Sequence, residues 1–396
     1  MILTRKQEEG LKIAVDRFKA HEPWTCISGF AGTGKSTLIK FIIAALDIPP
    51  EQVCYVAYTG KAAQVLKQKG CPNPITAHKL LYKAQMMPNG NYKFVPKFVL
   101  EADYKIIVVD EVSMLPKEMW EKLLSHKIHV IATGDPFQLP PIDPDTDNHV
   151  LERPHVFLDE IMRQANESEI IRFSMHIREG KPIKTYNPTG DQVLIYKPQE
   201  IVTGMYSWAD QILCATNATR NKVNNEMRLI KGFGPEPEVG DKIISLRNQW
   251  EFFSNGSDPS PLTNGTIGIL DDNELRKVTV PYWISQKQIP VLFAEMADEN
   301  GDVFSGIPID YTSLTTGDKF LTGKQEYQMR KNKQCPDPPF EFAYAYAITC
   351  HKAQGSEWKK VLCFEERFPF DTVEHARWLY TAATRASEKL VVISNS

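Results

Sequence analysis

The sequence contains no apolar run approaching the ~18 residues that a membrane-spanning helix needs. Its longest runs, such as Phe41 to Leu46, are short. The first residues, Met1-Ile2-Leu3-Thr4-Arg5-Lys6, lead into polar positions and lack the apolar centre of a signal peptide. Both absences predict a chain that stays in the cytoplasm, of a bacterial cell or of an infected host, and has no membrane partner. Seven cysteines (26, 54, 71, 214, 335, 350 and 363) are scattered without a single Cys-x-x-Cys pair. That spacing argues against a zinc site, and the odd count argues against a disulfide framework. Most are expected to be buried small hydrophobes. No internal repeat is visible, and no metal-carboxylate cluster of the nuclease kind. Charge of one sign is scarce as well, with a formal net of −3 over 396 residues. That balance neither announces nor excludes a nucleic-acid binder, because a groove that tracks phosphates needs only local positive charge.

What is present is ordinary in bulk, 42 % hydrophobic and 24 % charged, and the length points to two or three domains. The order is more informative. Thr25 to Ser28, Val53 to Ala57, Ile106 to Val109 and His129 to Ala132 read as buried strands separated by helical stretches, Ser36 to Leu46 and Lys61 to Gln68 among them. That βαβ rhythm implies a parallel sheet covered by helices. A second such rhythm begins at Gln211 to Ala215 and resumes at Phe342 to Thr349, Lys360 to Phe364 and Leu390 to Ile393. Between these parts, residues 246–337 are broken by Asn-Gly, Pro and Asp and suit an all-β insertion. Asn89-Gly90, flanked by Tyr82 to Met86 and Tyr92 to Val95, signals a hairpin over 81–99. The expected division is 1–165 for the first α/β domain, 166–245 with 338–396 for the second, and 246–337 for the insertion.

Gly29-Phe30-Ala31-Gly32-Thr33-Gly34-Lys35-Ser36 is a phosphate-binding loop between a strand and a helix. Its glycines let backbone N–H groups approach phosphate oxygens, and the helix start adds its dipole. Gly32, Thr33, Gly34, Lys35, Ser36 and Thr37 form the candidate nucleotide site, with Lys35 reaching the outer phosphates and the Ser36 hydroxyl suited to Mg2+. Ile106 to Val109 deliver Asp110 and Glu111 to a strand's C-terminal end, where open α/β sheets bind ligands. Asp110 is suited to Mg2+, directly or through water, and Glu111 to orienting or deprotonating the attacking water. Gln138, in Gly134-Asp135-Pro136-Phe137-Gln138-Leu139-Pro140-Pro141, can sense a terminal phosphate or position a water.

Together these residues resemble a superfamily 1B helicase, of the RecD/Dda-like branch. Leu3-Thr4-x-x-Gln7 resembles the Q motif, in which Gln7 would read adenine. Ala57-Tyr58-Thr59-Gly60-Lys61-Ala62-Ala63 resembles motif Ia, with Tyr58 where the branch usually carries proline, and Thr76-Ala77-His78-Lys79-Leu80 resembles motif Ib. Leu158 to Gln164 resembles motif IV, whose Arg163 would reach ATP. Thr349-Cys350-His351-Lys352-Ala353-Gln354-Gly355-Ser356-Glu357-Trp358 resembles motif V, adding Glu357 to the nucleotide site, and Tyr380 to Ala386 resembles motif VI, adding Arg385. The resemblance implies two RecA-like domains with ATP and Mg2+ in the cleft between them, a hairpin that acts as a strand-separating pin, and an SH3-like β-barrel at 246–337. Catalysis would rest on Lys35, Asp110, Glu111, Gln138, Arg163 and Arg385. Single-stranded DNA would lie on Thr59, Lys61, Thr76, His78, Thr349 and His351, and Met86, Met87 or Phe94 would be the apolar wedge. Trp358 is either a base-stacking platform or core, and core is the commoner fate of a tryptophan beside a buried strand. The aromatics Trp250, Phe252, Phe253, Tyr282 and Trp283 are expected in the core of the barrel.

The implied activity is ATP-driven 5′→3′ translocation on single-stranded DNA with strand separation, in replication, repair or recombination. Implied partners are single-stranded DNA, junctions of single- and double-stranded DNA, and single-strand-binding or replisome proteins, with the chain itself a monomer. Two other classes use the same loop. An ATPase switch that loads or remodels a partner would not unwind processively. A small-molecule kinase would leave the motifs of the second α/β half unexplained.

Overall fold

The computed structural model describes residues 3–86, 92–140, 147–162, 167–255, 259, 261–281, 283–285, 288–299, 301–332, 335–367 and 371–395. The chain divides into two compact units, Met1–Ala215 with Thr349–Ser396, and Thr216–Ile348. No helix among the described residues is long and apolar enough to cross a membrane.

In the first unit the chain runs through α1 (Arg5–Lys19), β1 (Trp24–Gly29), α2 (Lys35–Ala45), β2 (Val53–Ala57), α3 (Gly60–Gln68), β3 (Ile75–Thr76), α4 (Ala77–Leu81), β4 (Tyr82–Met86), β5 (Tyr92–Pro96), β6 (Ile106–Val109), α5 (Lys117–Ser125), β7 (His129–Gly134) and β8 (Val156–Leu158). Six of these strands form one sheet in the order β3-β2-β6-β7-β1-β8, and every pairing in it is parallel. All residues of β2 and β6 are buried, which is why these strands are continuous apolar runs rather than alternating ones. On one face Leu38, Ile39 and Ile42 of α2 and Leu66 of α3 cover Ile27, Tyr55 and Val108. On the other, Leu80 and Leu81 of α4 and Met119, Trp120 and Leu123 of α5 cover Cys54, Ile107 and Val130. Each such fully buried side chain contributes about 1.5–3 kcal/mol relative to exposure. The expected hairpin is present as antiparallel β4 and β5, with Tyr82 opposite Pro96 and Met86 opposite Tyr92. Its Asn-Gly turn and Met87 lie outside the described residues.

A second parallel layer in this unit is built from β9 (Val193–Tyr196), β10 (Gln211–Cys214) and two strands near the C-terminus. The intervening strands β11 (Lys242–Ser245), β12 (Gln249–Phe253), β13 (Pro261–Leu262), β14 (Ile267–Val278), β15 (Ile289–Asp298), β16 (Val303–Asp310) and β17 (Phe342–Tyr344) belong to the other unit, and β18 (Ala347–Thr349) leads back. The chain then enters β19 (Trp358–Phe364), the helix Thr372–Ala383 and β20 (Ala386–Ile393). Strands β10, β19, β20 and β9 pair in that order, all parallel.

The unit Thr216–Ile348 contains a five-stranded sheet, β16-β15-β14-β11-β17, paired antiparallel throughout. A buried ion pair, Arg228 Nε to Asp241 Oδ1 at 3.0 Å, stands inside it, with Tyr346 donating to the same carboxylate at 2.9 Å. Its apolar interior draws on Val280, Ile284, Ile289 and Val291. The aromatic core expected from the sequence is only partly realised. Phe253 and Trp283 are 46 % and 57 % exposed; on β12 the alternation of side chains turns Phe253 outward, while its neighbour Phe252 packs edge-on against Phe340 with centroids 5.4 Å apart. Tyr282 and the Trp250 side chain lie outside the described residues.

One buried carboxylate fixes the helix Glu169–Arg178 against the strand that follows it. Glu169, 1 % exposed, accepts backbone N–H groups from Gly190 at 2.9 Å, Gln192 at 3.1 Å and Val193 at 3.0 Å, and from Thr189. Burial pushes its carboxyl up, but these bonds outweigh burial and hold it below the usual value of 4.5. Glu169→Ala should cost about 3 kcal/mol, because it strands several buried donors, and thermal denaturation will measure this. A folded value below the unfolded one gives stability that is complete above the ordinary carboxylate range and lost as pH falls through the folded value. The stability gap between wild type and Glu169→Gln should therefore persist at neutral pH and narrow as pH falls below the usual carboxylate range.

Candidate active site

The phosphate loop forms where β1 ends. Gly32 and Gly34 take φ of 77° and 80°, left-handed values that glycine adopts without a Cβ penalty, and a Cβ on Gly34 would collide with Gln7 Nε2. Lys35 folds back over the loop, donating to Gly29 O at 2.7 Å and Phe30 O at 3.1 Å. Thr33 is buried and donates to Phe30 O at 2.8 Å. Gln7 belongs to a capping box with Thr4 at the start of α1. This fixes its side chain so that Nε2 reaches Thr33 O at 3.1 Å. Ser36 and Thr37 open α2 and, with Asp110, line a cavity of about 260 Å3 that also meets Lys40, Tyr55 and Lys69.

Opposite the loop, β6 ends in two carboxylates with different surroundings. Asp110 Oδ1 accepts from Thr133 Oγ1 at 2.8 Å and from the Glu111 N–H at 3.1 Å. Glu111 has a φ of 49°, a left-handed conformation that costs a residue with a Cβ about 1–3 kcal/mol. Burial pushes its carboxyl above the usual carboxylate range. Arg385 opposes that shift, Asp110 reinforces it, Lys35 opposes and Asp135 reinforces. Gln138 joins the two halves of the unit. With its amide nitrogen turned to Glu111 it donates to Oε2 at 3.1 Å, and its oxygen accepts from Arg385 Nη2 at 3.2 Å. Arg385 is 6 % exposed and donates further to Thr381 O and Ser356 O, both at 3.1 Å.

Lys35, Asp110, Glu111, Gln138 and Arg385 therefore meet in one place. Glu357 pairs with Lys69 Nζ at 3.4 Å, a residue that also lines the cavity at Ser36 and Asp110. Arg163 lies outside the described residues. The residues expected to face a single strand also gather. Ala57 on β2 and Thr76 on β3 are register partners, so Thr59 and Thr76 follow neighbouring strand ends. Their hydroxyl oxygens cap α3 and α4, accepting from Ala62 N at 3.1 Å and Lys79 N at 3.2 Å, which leaves each O–H to donate. Lys61 Nζ lies 5.7 Å from the centre of the Trp358 ring, and a Cβ on Gly355 would touch Ala62, so the Thr59 segment packs on the Thr349–Trp358 segment. Trp358 is buried. Thr349 and His351 stand at the helix Cys350–Ala353. Burial lowers His78 to about 4 and lowers His351 as well, so these imidazoles are neutral at pH 7. Met86 and Phe94 lie on the two strands of the hairpin.

Sequence reasoning gave no role to Thr133, Asp135, Gln354, Tyr380 or Thr381. Thr133 orients Asp110; its signal is a lone hydroxyl in a buried apolar strand. Tyr380 OH donates to Asp135 Oδ2 at 2.5 Å and accepts from Ala31 N at 2.8 Å. Thr381 Oγ1 accepts from Leu139 N at 2.9 Å, and Gln354 donates to Leu139 O at 2.7 Å. Each of these links residues far apart in sequence, which no local pattern encodes.

Comparison with known proteins bears on the family and the fold. Residues 4–196 match the AAA domain family and residues 344–393 the UvrD-like helicase C-terminal domain family. The chain is similar to the ATP-dependent RecD2 DNA helicase of Deinococcus radiodurans, 25 % identical over 92 % of this chain and 46 % of that protein. It is 31 % identical to the ATP-dependent DNA helicase Dda of Enterobacteria phage T4, over 36 % of this chain and 34 % of that protein. The chain thus spans less than half the length of either relative. The crystal structure of a Bacteroides Pif1 helicase in complex with ADP-AlF3 and ssDNA overlays with a TM-score of 0.52 at 17 % identity, covering 100 % of this chain and 93 % of that one. A likeness at that identity speaks to the fold, and marks the two parallel layers as RecA-like. With its motifs in order along the sequence and matches to both families, the chain belongs to the superfamily 1B helicases of the RecD/Dda-like branch.

Proposed function

We propose that this chain is an ATP-dependent DNA translocase and helicase that moves 5′→3′ along single-stranded DNA. The observation that carries the reading is the hydrogen-bonded chain from Glu111 through Gln138 to Arg385. It joins a carboxylate beside the phosphate loop to an arginine from the other sheet, so nucleotide chemistry and the arrangement of the two halves are one event. The relatives bear on the substrate: two are named ATP-dependent DNA helicases, and the Bacteroides Pif1 was solved on single-stranded DNA.

ATP would bind with its phosphates on the N–H groups of Gly32 to Thr37 and on Lys35, its adenine read by Gln7. Arg163 and Glu357 would complete the site. Ser36 and Asp110 have the oxygen donors that suit Mg2+, which when bound neutralises charge on the outer phosphates. Glu111 takes the proton of the attacking water, and its raised pKa suits a general base. Gln138 relays the state of that site to Arg385, which stabilises charge on the transferring phosphoryl group. Thr59, Lys61, Thr76, His78, Thr349 and His351 would hold DNA phosphates, contacts that position a strand without reading its sequence. Residues 1–165 would act as the first motor domain, 166–245 with 338–396 as the second, and 246–337 as an SH3-like accessory barrel. The hairpin over 81–99 would part the duplex at a junction, using Met86, Met87 or Phe94 as its wedge. Single-strand-binding or replisome proteins are the protein partners, and the working unit is a cytoplasmic monomer.

The decisive experiment compares strand separation on 5′-tailed and 3′-tailed DNA and RNA duplexes by wild type and Lys35→Ala. Unwinding of the 5′-tailed DNA alone, abolished in the variant, is expected. Strand-stimulated ATP hydrolysis without separation of any duplex would replace the motor with a loading or remodelling ATPase. Arg385→Ala should retain nucleotide binding and lose stimulated turnover by about 10³-fold or more. Because Arg385 holds the Glu111 carboxyl down, the residual activity of that variant should have its acidic limb moved to higher pH, as a pH–rate profile will show. Replacing Met86, Met87 and Phe94 together by Ala should depress unwinding and spare strand-stimulated ATPase, whereas an equal loss of both would remove the pin.

A further inference from the structure

Two neighbouring residues of the phosphate loop are held by helices of the second parallel layer. Arg178 lies in the last turn of the helix Glu169–Arg178, which packs against the helix Thr372–Ala383 and against β20. Its guanidinium carbon stands 3.7 Å from the centre of the Phe30 ring. Phe157 meets the same ring edge-on, with centroids 5.4 Å apart. One position further along the loop, the Tyr380 hydroxyl accepts the Ala31 N–H at 2.8 Å.

In a trans peptide the carbonyl and the following N–H point in opposite directions. With the Ala31 N–H turned to Tyr380, the Phe30 carbonyl is turned to the other side, where it accepts from the Lys35 ammonium at 3.1 Å and from the Thr33 hydroxyl at 2.8 Å. The Gly29 carbonyl takes a second N–H of the ammonium at 2.7 Å. An ammonium has three donors, so these two bonds fix where the Lys35 charge stands and leave one N–H for a phosphate oxygen. The orientation of a single peptide plane therefore sets the position of Lys35. That plane is gripped at its N–H by Tyr380 and, through the Phe30 ring, by Arg178. The rest of the loop cannot supply the same rigidity, because Gly32 and Gly34 are the residues that lose most conformational freedom on ordering. A grip from outside meets part of that ordering cost before the nucleotide arrives.

We infer that Arg178 is a positioning residue for Lys35: its guanidinium, laid on the Phe30 ring, lets the second parallel layer hold the phosphate loop in the shape that receives a nucleotide. This rests on the ATPase reading of the same site. Calorimetric titration with ADP and with a non-hydrolysable ATP analogue tests it, together with strand-stimulated turnover. Arg178→Gln, which removes the cation, should weaken both nucleotides by about 2- to 10-fold, the range that a cation–π contact supports. The KM for ATP should rise by the same factor while kcat holds, because the cost falls on ordering the loop before the chemical step. Arg178→Lys, which keeps a cation, should recover part of the loss. Phe30→Leu should weaken binding in the same way, and Arg178→Gln added to it should have no further effect. If Arg178→Gln does not fold, Arg178→Lys replaces it in this cycle, with a smaller loss on the native background and none beside Phe30→Leu. Variants that melt earlier yet bind both nucleotides as wild type does would mark Arg178 as structural and overturn the inference. Effects that add in the double variant, or a fall in kcat at unchanged KM, would overturn it as well. A wild type that binds neither nucleotide would sink the ATPase reading and this inference with it, whereas normal wild-type binding with unaltered variants sinks the inference alone.

Discussion

A strand that ends in a phosphate loop leaves main-chain N–H and C=O groups that its own sheet cannot satisfy, and much of the first unit is arranged around answering them. Gln7 takes the Thr33 carbonyl from α1, and Met162 N–H takes the Gly32 carbonyl from beyond β8. Lys35 covers the Gly29 and Phe30 carbonyls, and Tyr380 arrives from the far end of the chain to hold the Ala31 N–H. Buried main-chain groups left unpaired cost free energy comparable to a lost hydrogen bond. The loop therefore recruits three separate segments, and its geometry reports on where each of them sits.

The second constraint is electrostatic. Asp110, Glu111 and Asp135 bring three carboxylates into a space where, among the described residues, Lys35 and Arg385 act on Glu111 as compensating cations. Like charges at close quarters in a poorly solvated site cannot all ionise freely. The structure resolves this unevenly. Asp110 has a hydroxyl and an N–H to stabilise its charge, Asp135 has a phenol and the Phe137 N–H, and Glu111 has the Gln138 amide and a pKa pushed upward. The proposed division of labour, Asp110 toward a metal and Glu111 as proton acceptor, would follow from these unequal surroundings, because the two residues differ by only one methylene.

The parallel layers were legible because they are governed by local rules. Continuous apolar runs such as Ile106 to Val109 must be buried on both faces, and glycine spacing at Gly32 and Gly34 matches the left-handed turns the loop requires. The hairpin followed from Asn-Gly between two strand-like segments, and β4 and β5 pair antiparallel with Met86 opposite Tyr92. What was not legible depends on contacts between distant segments. Tyr380 sits beside Arg385 in sequence, but that it would reach Ala31 and Asp135 depends on how two sheets pack. The Glu357 carboxylate likewise meets Lys69, a partner no spacing predicts. The exposed Phe253 and Trp283 show the same limit from another side. Aromatic content signals a core, and whether a given ring enters it depends on which face of its strand it leaves from and what packs there, as Phe252 on Phe340 and the exposed Phe253 show.

The proposed single-strand face has a character that its sequence alone conceals. Of its six residues only Lys61 carries charge at pH 7, since burial keeps His78 and His351 neutral and the rest are threonines. Lys61 is itself drawn over the Trp358 ring, a cation–π contact worth about 0.5–1 kcal/mol at an exposed site and more when desolvated. A grip made mainly of neutral donors releases few counterions, so its strength derives from hydrogen-bond geometry more than from charge. That is compatible with a chain of net charge −3, and it suits a surface that must let go at every step. Hydrogen bonds to phosphate are lost over a small displacement, whereas a dense cationic groove would hold the strand across the whole range of movement. The motor reading thus requires no basic patch: it requires that Thr59 and Thr76, fixed as caps at the starts of α3 and α4, move as rigid points relative to Thr349 and His351.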